Sequence, residues 1–153
     1  MLGLTKATDY AILALGYLDD QPEDAVVSTR EIAEAYAIPA ELLAKVLQRL
    51  SKQGLVEAHQ GRGGGYSLCT CTDTISVTEV VEAVEGPIAI AACLKEGGEE
   101  LCEQYNYCTI KSPVEHIQEL VLRLFGEISV ANITTGAGLN PPKPSLTNID
   151  LKA

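Results

Sequence analysis

The chain has 153 residues, 46% of them hydrophobic, and a formal net charge of −10. That length bounds it to one ordinary domain, or to a small domain with one long appended helix. No apolar run reaches membrane-spanning length and residues 1–6 lack the charged-then-apolar order of a secretory signal, so a cytoplasmic protein is expected.

The acidity weighs against a nucleic-acid partner, because phosphate binding is driven by Lys and Arg displacing counterions. The charge is unevenly spread, however. Residues 30–66 hold five basic residues against four acids, giving +1, and the rest of the chain holds six against seventeen, giving −11. An acidic remainder would repel non-specific contacts elsewhere on the molecule.

A first helix is predicted to start at Thr5 or Thr8, either of which can cap it, with Ala7, Tyr10, Ala11, Ala14, Leu15 and Leu18 along one apolar stripe. It ends before the acidic loop Asp19-Asp20-Gln21-Pro22-Glu23-Asp24. Ser28-Thr29-Arg30-Glu31 has the form of a capping box that opens a short helix carrying Ile32, Ala33 and Tyr36. After the tight turn Ala37-Ile38-Pro39, Pro39 suits the first position of the next helix. There Leu42, Leu43, Val46, Leu47 and Leu50 recur at helical spacing until Gly54.

Two short helices about a tight turn make a helix-turn-helix. The second helix of such a motif enters the major groove by its N-terminal end, which would expose Ala40, Glu41, Ala44, Lys45 and Gln48. Gln48 can read adenine, while Lys45 and Arg49 suit phosphate or guanine. Arg30, in the same near-neutral segment, joins the candidates. In sequence, each of these side chains looks the same as an idle solvated one.

The period then changes. Leu55, Val56 and Ala58, and then residues 66–68, suit two short strands around Gly61-Arg62-Gly63-Gly64-Gly65, which reads as a wing with Arg62 at its tip, suited to the minor groove. A plain glycine-rich hairpin is the alternative; a nucleotide-cradling loop is disfavoured by the absence of G-x-G-x-x-G spacing. Ser76-Val77-Thr78-Glu79 is a second capping box, opening a helix with Val77, Val80, Val81 and Val84 inside and Gly86-Pro87 as its stop.

Cys93, Cys102 and Cys108 follow in one stretch. In a reducing cytoplasm five cysteines point away from structural disulfides. The C-x8-C-x5-C spacing lacks the close C-x2-C pairs of zinc sites, and three soft thiolates suit an iron-sulfur cluster, with Lys95-Glu96-Gly97-Gly98 as a flexible connection letting them converge. Three redox-inert cysteines are the plain alternative. Cys69 and Cys71 alternate along the end of a wing strand and read as structural or incidental thiols.

Beyond Pro113, the residues Val114, Ile117, Val121, Leu124, Ile128 and Ala131 are separated by 3, 4, 3, 4 and 3, the seam of a coiled coil. They predict one dimerisation helix, roughly 30 Å long at about 1.5 Å per residue. Residues 135–153, rich in Gly and Pro, are predicted to be disordered. No Ser-His-Asp order is recognisable and two histidines are few for acid-base work, so no enzyme is expected.

In their order these pieces resemble the Rrf2 family of bacterial winged-helix regulators. The resemblance runs from Leu4 to about Thr134 and rests on Leu4-Thr5-Lys6-Ala7-Thr8-Asp9-Tyr10-Ala11, on Leu43-Ala44-Lys45-Val46-Leu47-Gln48-Arg49-Leu50 with Gly54-Leu55-Val56, on the wing, and on the cysteine triplet. It implies a homodimer that binds a palindromic operator, usually as a repressor, and a cluster that controls DNA affinity. The chain departs from one cluster-bearing branch in a longer first cysteine interval and in Lys111, which stands where that branch has a His ligand. The N-terminal motif resembles another branch, in which the acid corresponding to Asp9 ligates the cluster from the opposite subunit. Asp9 is equally an ordinary first-turn acid favoured by the helix dipole, and His116 is the other candidate for the fourth ligand.

The expectation is therefore a mainly α protein: a winged helix-turn-helix with a two-stranded β-wing over residues 1–86, a cysteine loop over 87–112 and a dimerisation helix over 113–134. A cluster, 4Fe-4S favoured over 2Fe-2S, would sit on Cys93, Cys102, Cys108 and Asp9 and sense redox state, nitric oxide, oxygen or iron supply. The rivals are a cluster-free regulator acting through a protein partner and a redox or electron-transfer protein that does not bind duplex DNA.

Overall fold

Residues 4–137 are described in the computed structural model of the chain, so from residue 138 onward the segment predicted as a disordered tail lies outside the described residues. The elements are α1 (Lys6–Asp19), α2 (Thr29–Ala35), α3 (Ala40–Lys52), β1 (Val56–His59), β2 (Gly65–Leu68) and α4 (Val77–Glu85). A connection follows in which α5 (Gly98–Leu101) lies between two 3-10 turns, Ala92–Leu94 and Tyr105–Tyr107; α6 (Lys111–Glu127) and α7 (Val130–Thr135) complete the chain. The class is the expected one, mainly helical with a two-stranded antiparallel wing. Among the described residues no helix is long and apolar enough to cross a membrane.

Local chemistry sets the helix starts. Thr5 caps α1, its hydroxyl accepting from the amides of Ala7 and Thr8, which leaves Thr8 fully buried in the first turn. Ser28 accepts from the Glu31 amide at 3.2 Å, but the Glu31 carboxylate turns away to accept from the Tyr17 hydroxyl at 3.2 Å, so the expected box at α2 is only half made. The box at α4 is complete in both directions between Ser76 and Glu79. Pro39 sits one residue earlier than expected, as the N-cap of α3, its carbonyl accepting from the amides of Leu42 and Leu43.

Leu15, Ile32, Leu43, Leu47, Leu50, Val56, Ile75, Val80 and Val130 are fully buried in one core. Here α1 packs on α3, α4 and α7, and α3 packs on α2, α4 and β1. Burying each such side chain is worth about 1.5–3 kcal/mol. Leu42, expected on the same stripe, is 48% exposed on the outer side of α3.

The predicted single helix over 113–134 is broken. Ile128 is extended (φ −98°, ψ 120°), its carbonyl accepts from the Val77 amide at 2.9 Å, and the Val130 amide donates to Ile75 O at 2.8 Å. Ser129 and Asn132 then form a capping box that starts α7 afresh. The heptad seam thus ends at Leu124, while Val130 and Ala131 are buried in the core beside α1. Backbone pairing with the strand-like entry to α4, together with a new cap, outweighs continuation of the 3-4 repeat.

Candidate nucleic-acid interface and cysteine loop

On α3 the side chains of Glu41, Lys45 and Gln48 are exposed and Ala44 is half-buried. Lys45 and Gln48, three residues apart, share one face. Arg49 is committed elsewhere: its guanidinium donates to the Val84 carbonyl in the last turn of α4 and so satisfies one of that helix's free carbonyls. Arg30 is paired with Glu34 at 2.6 Å in solvent, an arrangement that water screens but that sets a carboxylate beside the guanidinium a phosphate would meet.

The wing is built as predicted, with Val56 opposite Leu68, Glu57 opposite Ser67, Ala58 opposite Tyr66 and His59 opposite Gly65. Its glycines serve two different needs. Gly61 and Gly63 have φ of 106° and 84°, the left-handed region that glycine favours. Gly65 instead gives room for a third strand position, since a Cβ there would lie 2.1 Å from Val27 O, and Val27 pairs with Tyr66 through bonds of 2.9 and 2.8 Å. Arg62 is exposed between the two left-handed glycines and makes no hydrogen bond or ion pair among the described residues.

Sequence reasoning missed the junction of α1 with α4. The hydroxyls of Thr5 (2.7 Å) and Thr8 both donate to Glu85 Oε1. Partial burial pushes the Glu85 carboxyl up, but hydrogen bonds from the Thr8 and Thr5 hydroxyls and the Thr5 amide outweigh it and hold the group below its usual value. The partners lie 77 and 80 positions apart in sequence, so no local pattern marks them. The only hint was a polar Thr8 inside an apolar stripe.

The cysteine region is a folded connection. Cys93 lies in the first 3-10 turn, Cys102 ends α5 and Cys108 follows the second 3-10 turn; all three are half-buried and free of disulfides. The expected flexible glycines build a defined turn: Gly97 is left-handed at φ 72°, and a Cβ on Gly98 would lie 2.2 Å from Cys93 O. Among the described residues no three His, Cys, Asp or Glu side chains lie together in a way that could hold a metal ion. Cys93, Cys102, Cys108 and Asp9 are therefore not gathered within one chain. As a donor set, three free thiols fit an iron-sulfur cluster in kind.

Asp9 is exposed in the first turn of α1. His116 is exposed on α6, 3.6 Å from Glu119. Lys111 donates to the Tyr105 hydroxyl at 2.6 Å with its ammonium 3.8 Å from the ring centre, and that hydrogen bond raises its pKa, keeping it a cation and no ligand. Cys69 and Cys71 are exposed, and partial burial together with Glu57 holds the Cys69 thiol above its usual pKa, which disfavours the thiolate.

None of the 17 residues of α6 is buried. Ile117 and Leu120 on α6, with Leu101, Tyr107 and Ile110 before it, are large apolar side chains left exposed.

A family model named Rrf2 and described as an iron-dependent transcriptional regulator matches residues 4–136. The HTH-type transcriptional regulator NsrR of Halalkalibacterium halodurans is 30% identical over 132 residues, covering 86% of this chain and 90% of that protein. Among solved structures, CymR (YrzC), the global cysteine regulator of B. subtilis, superposes with a TM-score of 0.67 at 20% identity, covering 89% of this chain and 98% of that one. IscR of T. potens superposes with a TM-score of 0.65 at 22% identity, covering 89% and 88%.

Proposed function

The chain belongs to the Rrf2 family of transcriptional regulators, and from that membership we propose a cytoplasmic homodimer that represses from a palindromic operator and takes an iron-sulfur cluster on Cys93, Cys102 and Cys108 with Asp9 as fourth ligand. The observation that carries the DNA-binding part is the fold of the one non-acidic segment: residues 30–66 become α2, α3 and the wing, with Lys45, Gln48 and Arg62 all solvent-facing in a chain of charge −10. Direct reading falls to Gln48 and Glu41, and phosphate or minor-groove contact to Lys45 and Arg62. Arg49 and Arg30 are the weaker candidates because each already has a partner.

The cluster part is supported by the iron-dependence in the family's description and by three free thiols in one connection. When bound, such a cluster, 4Fe-4S in preference to 2Fe-2S, supplies redox-active iron whose potential follows its ligands and exposure. Because no three of these groups are gathered among the described residues, ligation would be coupled to a rearrangement of residues 87–110, and a carboxylate from the partner subunit would complete the set. The loop begins at Gly86, directly after the Val84 carbonyl that holds Arg49 and the Glu85 carboxylate that anchors α1. A change of loop conformation therefore bears on both DNA-side helices through the last turn of α4.

The separation of the thiols favours one second reading, a regulator without a cluster that acts through a protein partner. Anaerobic purification with an absorption spectrum and iron and sulfide analysis decides between them. Iron and sulfide in near-equal amounts, lost in Cys93→Ala, Cys102→Ala and Cys108→Ala but kept in Cys69→Ala and Cys71→Ala, is the expected result. A colourless protein that still binds duplex DNA establishes the second reading.

A further inference from the structure

Between α1 and α3 runs a groove of about 270 Å³ lined by Lys6, Ala7, Tyr10, Leu42, Lys45, Val46 and Arg49. Three of the chain's eleven basic residues line it, and with the Arg49 guanidinium held by the Val84 carbonyl, Lys6 and Lys45 are the two that remain uncommitted. We propose that this groove seats a backbone phosphate of duplex DNA, with Lys6 of α1 as a phosphate-binding residue beside Lys45 of α3.

The inference rests on the DNA-binding reading and adds to it a helix to which that reading gave no DNA contact. Lys6 is exposed and makes no hydrogen bond or ion pair among the described residues, and the same is true of Lys45. Because both side chains line the groove from facing helices, an anion seated there would meet two uncommitted cations. The free N–H groups of α1 do not supply the anion site, since Thr5 accepts from two of them and Glu85 occupies that end, so the charge must come from side chains. Leu42, 48% exposed on the rim, gives an apolar surface against which a sugar can lie. Lys45 belongs to both the groove and the exposed face of α3 that carries Gln48, so a strand whose bases meet Gln48 passes the groove with its backbone. The acids nearest in sequence, Asp9 and Glu41, are both exposed and set a limit on how far an anion is drawn along either helix.

The test is the salt dependence of duplex binding by the full-length protein, using the strongest binder selected from a random-sequence duplex library and a scrambled duplex of equal length. Lys6→Ala is expected to lower the slope of log affinity against log salt by about one unit per bound protomer, by a similar amount on both duplexes, because a phosphate contact carries no sequence information. Lys6→Arg should restore the slope, and the thermal midpoint of both variants should match the parent, since Lys6 is exposed and makes no hydrogen bond or ion pair among the described residues. An unchanged slope for Lys6→Ala on a duplex whose binding still responds to Arg62→Ala overturns the groove and leaves the DNA-binding reading standing. A parent protein that binds neither duplex overturns both.

Discussion

The DNA-facing part of the chain and the part from residue 87 to the end of α6 follow opposite rules. In the first, the apolar stripes of α1, α3 and α4 close on one another, side chains cap the starts of α1, α2 and α4, and the Glu85 carboxylate and Arg49 guanidinium find partners across the fold. In the second, a helix of 17 residues buries none of them, and three thiols sit in one connection without gathering at one point. One half is complete within a single chain. The other becomes complete only with further components, a second copy and a metal group under the function proposed here.

The contrast is broken most severely in the core. Leu47→Ala should cost about 2–5 kcal/mol, because it removes a fully buried side chain and leaves a cavity that rigid neighbours cannot fill. Ile117→Ala, on a residue 51% exposed, should leave the unfolding of an isolated protomer unchanged within about 0.5 kcal/mol. Urea titration of both variants in a monomeric Leu124→Asp background reads the difference. Equal losses would mean that α6 is as much part of the intrachain core as α3.

Next in size is the loss of the dimer. Leu124→Asp places a charge on the last residue of the intact seam and should give a folded monomer by sedimentation, with operator affinity reduced at least a hundredfold, as two half-sites are no longer read together. A monomer that protects a full palindrome with parental affinity would remove α6 from the interface. Smaller again is Arg62→Ala, which should weaken duplex binding about tenfold and reduce the salt slope by about one unit per protomer, with the iron content and the dimer unchanged. Unaltered slope would leave the wing a hairpin without DNA contact.

What was legible in the sequence follows the same division. The helix-turn-helix, the wing and the core leucines were readable because short-range rules decide them: caps at Thr5 and Ser76, a 3-4 apolar repeat, glycines at a hairpin. The C-terminal helix was misread at Ile128, where the repeat continues but the backbone pairs with residues 75 and 77, far away in sequence. Ser129 and Asn132 carried the local signal of a new cap, and the heptad pattern masked it. Leu42 and Arg49 illustrate the same limit: their spacing assigns a face of α3, and only the neighbouring α1 and α4 decide that one lines a groove and the other caps a helix. The cysteine spacing is silent for a different reason: it does not fix where the thiols point, and among the described residues no three of them gather with a His, Asp or Glu or with one another.

The smallest effect expected comes from the one carboxylate that ties two elements of the complete half together. Glu85 has its pKa lowered in the fold, so the folded state binds fewer protons than the unfolded one in the acid range. Its contribution is present in full above the unfolded carboxylate value, about 4.3 for Glu, and is lost as pH falls through the lower folded value. Above neutrality the group is ionised in both states and adds no pH dependence. Glu85→Gln should therefore lower stability slightly at pH 7, where the amide accepts more weakly from the Thr5 and Thr8 hydroxyls, and should flatten the stability-pH curve below about pH 4.3 relative to the parent. Because the residue is largely solvent-exposed, screening keeps both changes small. Thermal melts of the two proteins across the acid range read the sign directly: curves that stay parallel down to the acid limit would show that the Thr5 and Thr8 bonds hold the helix ends together without regard to the charge.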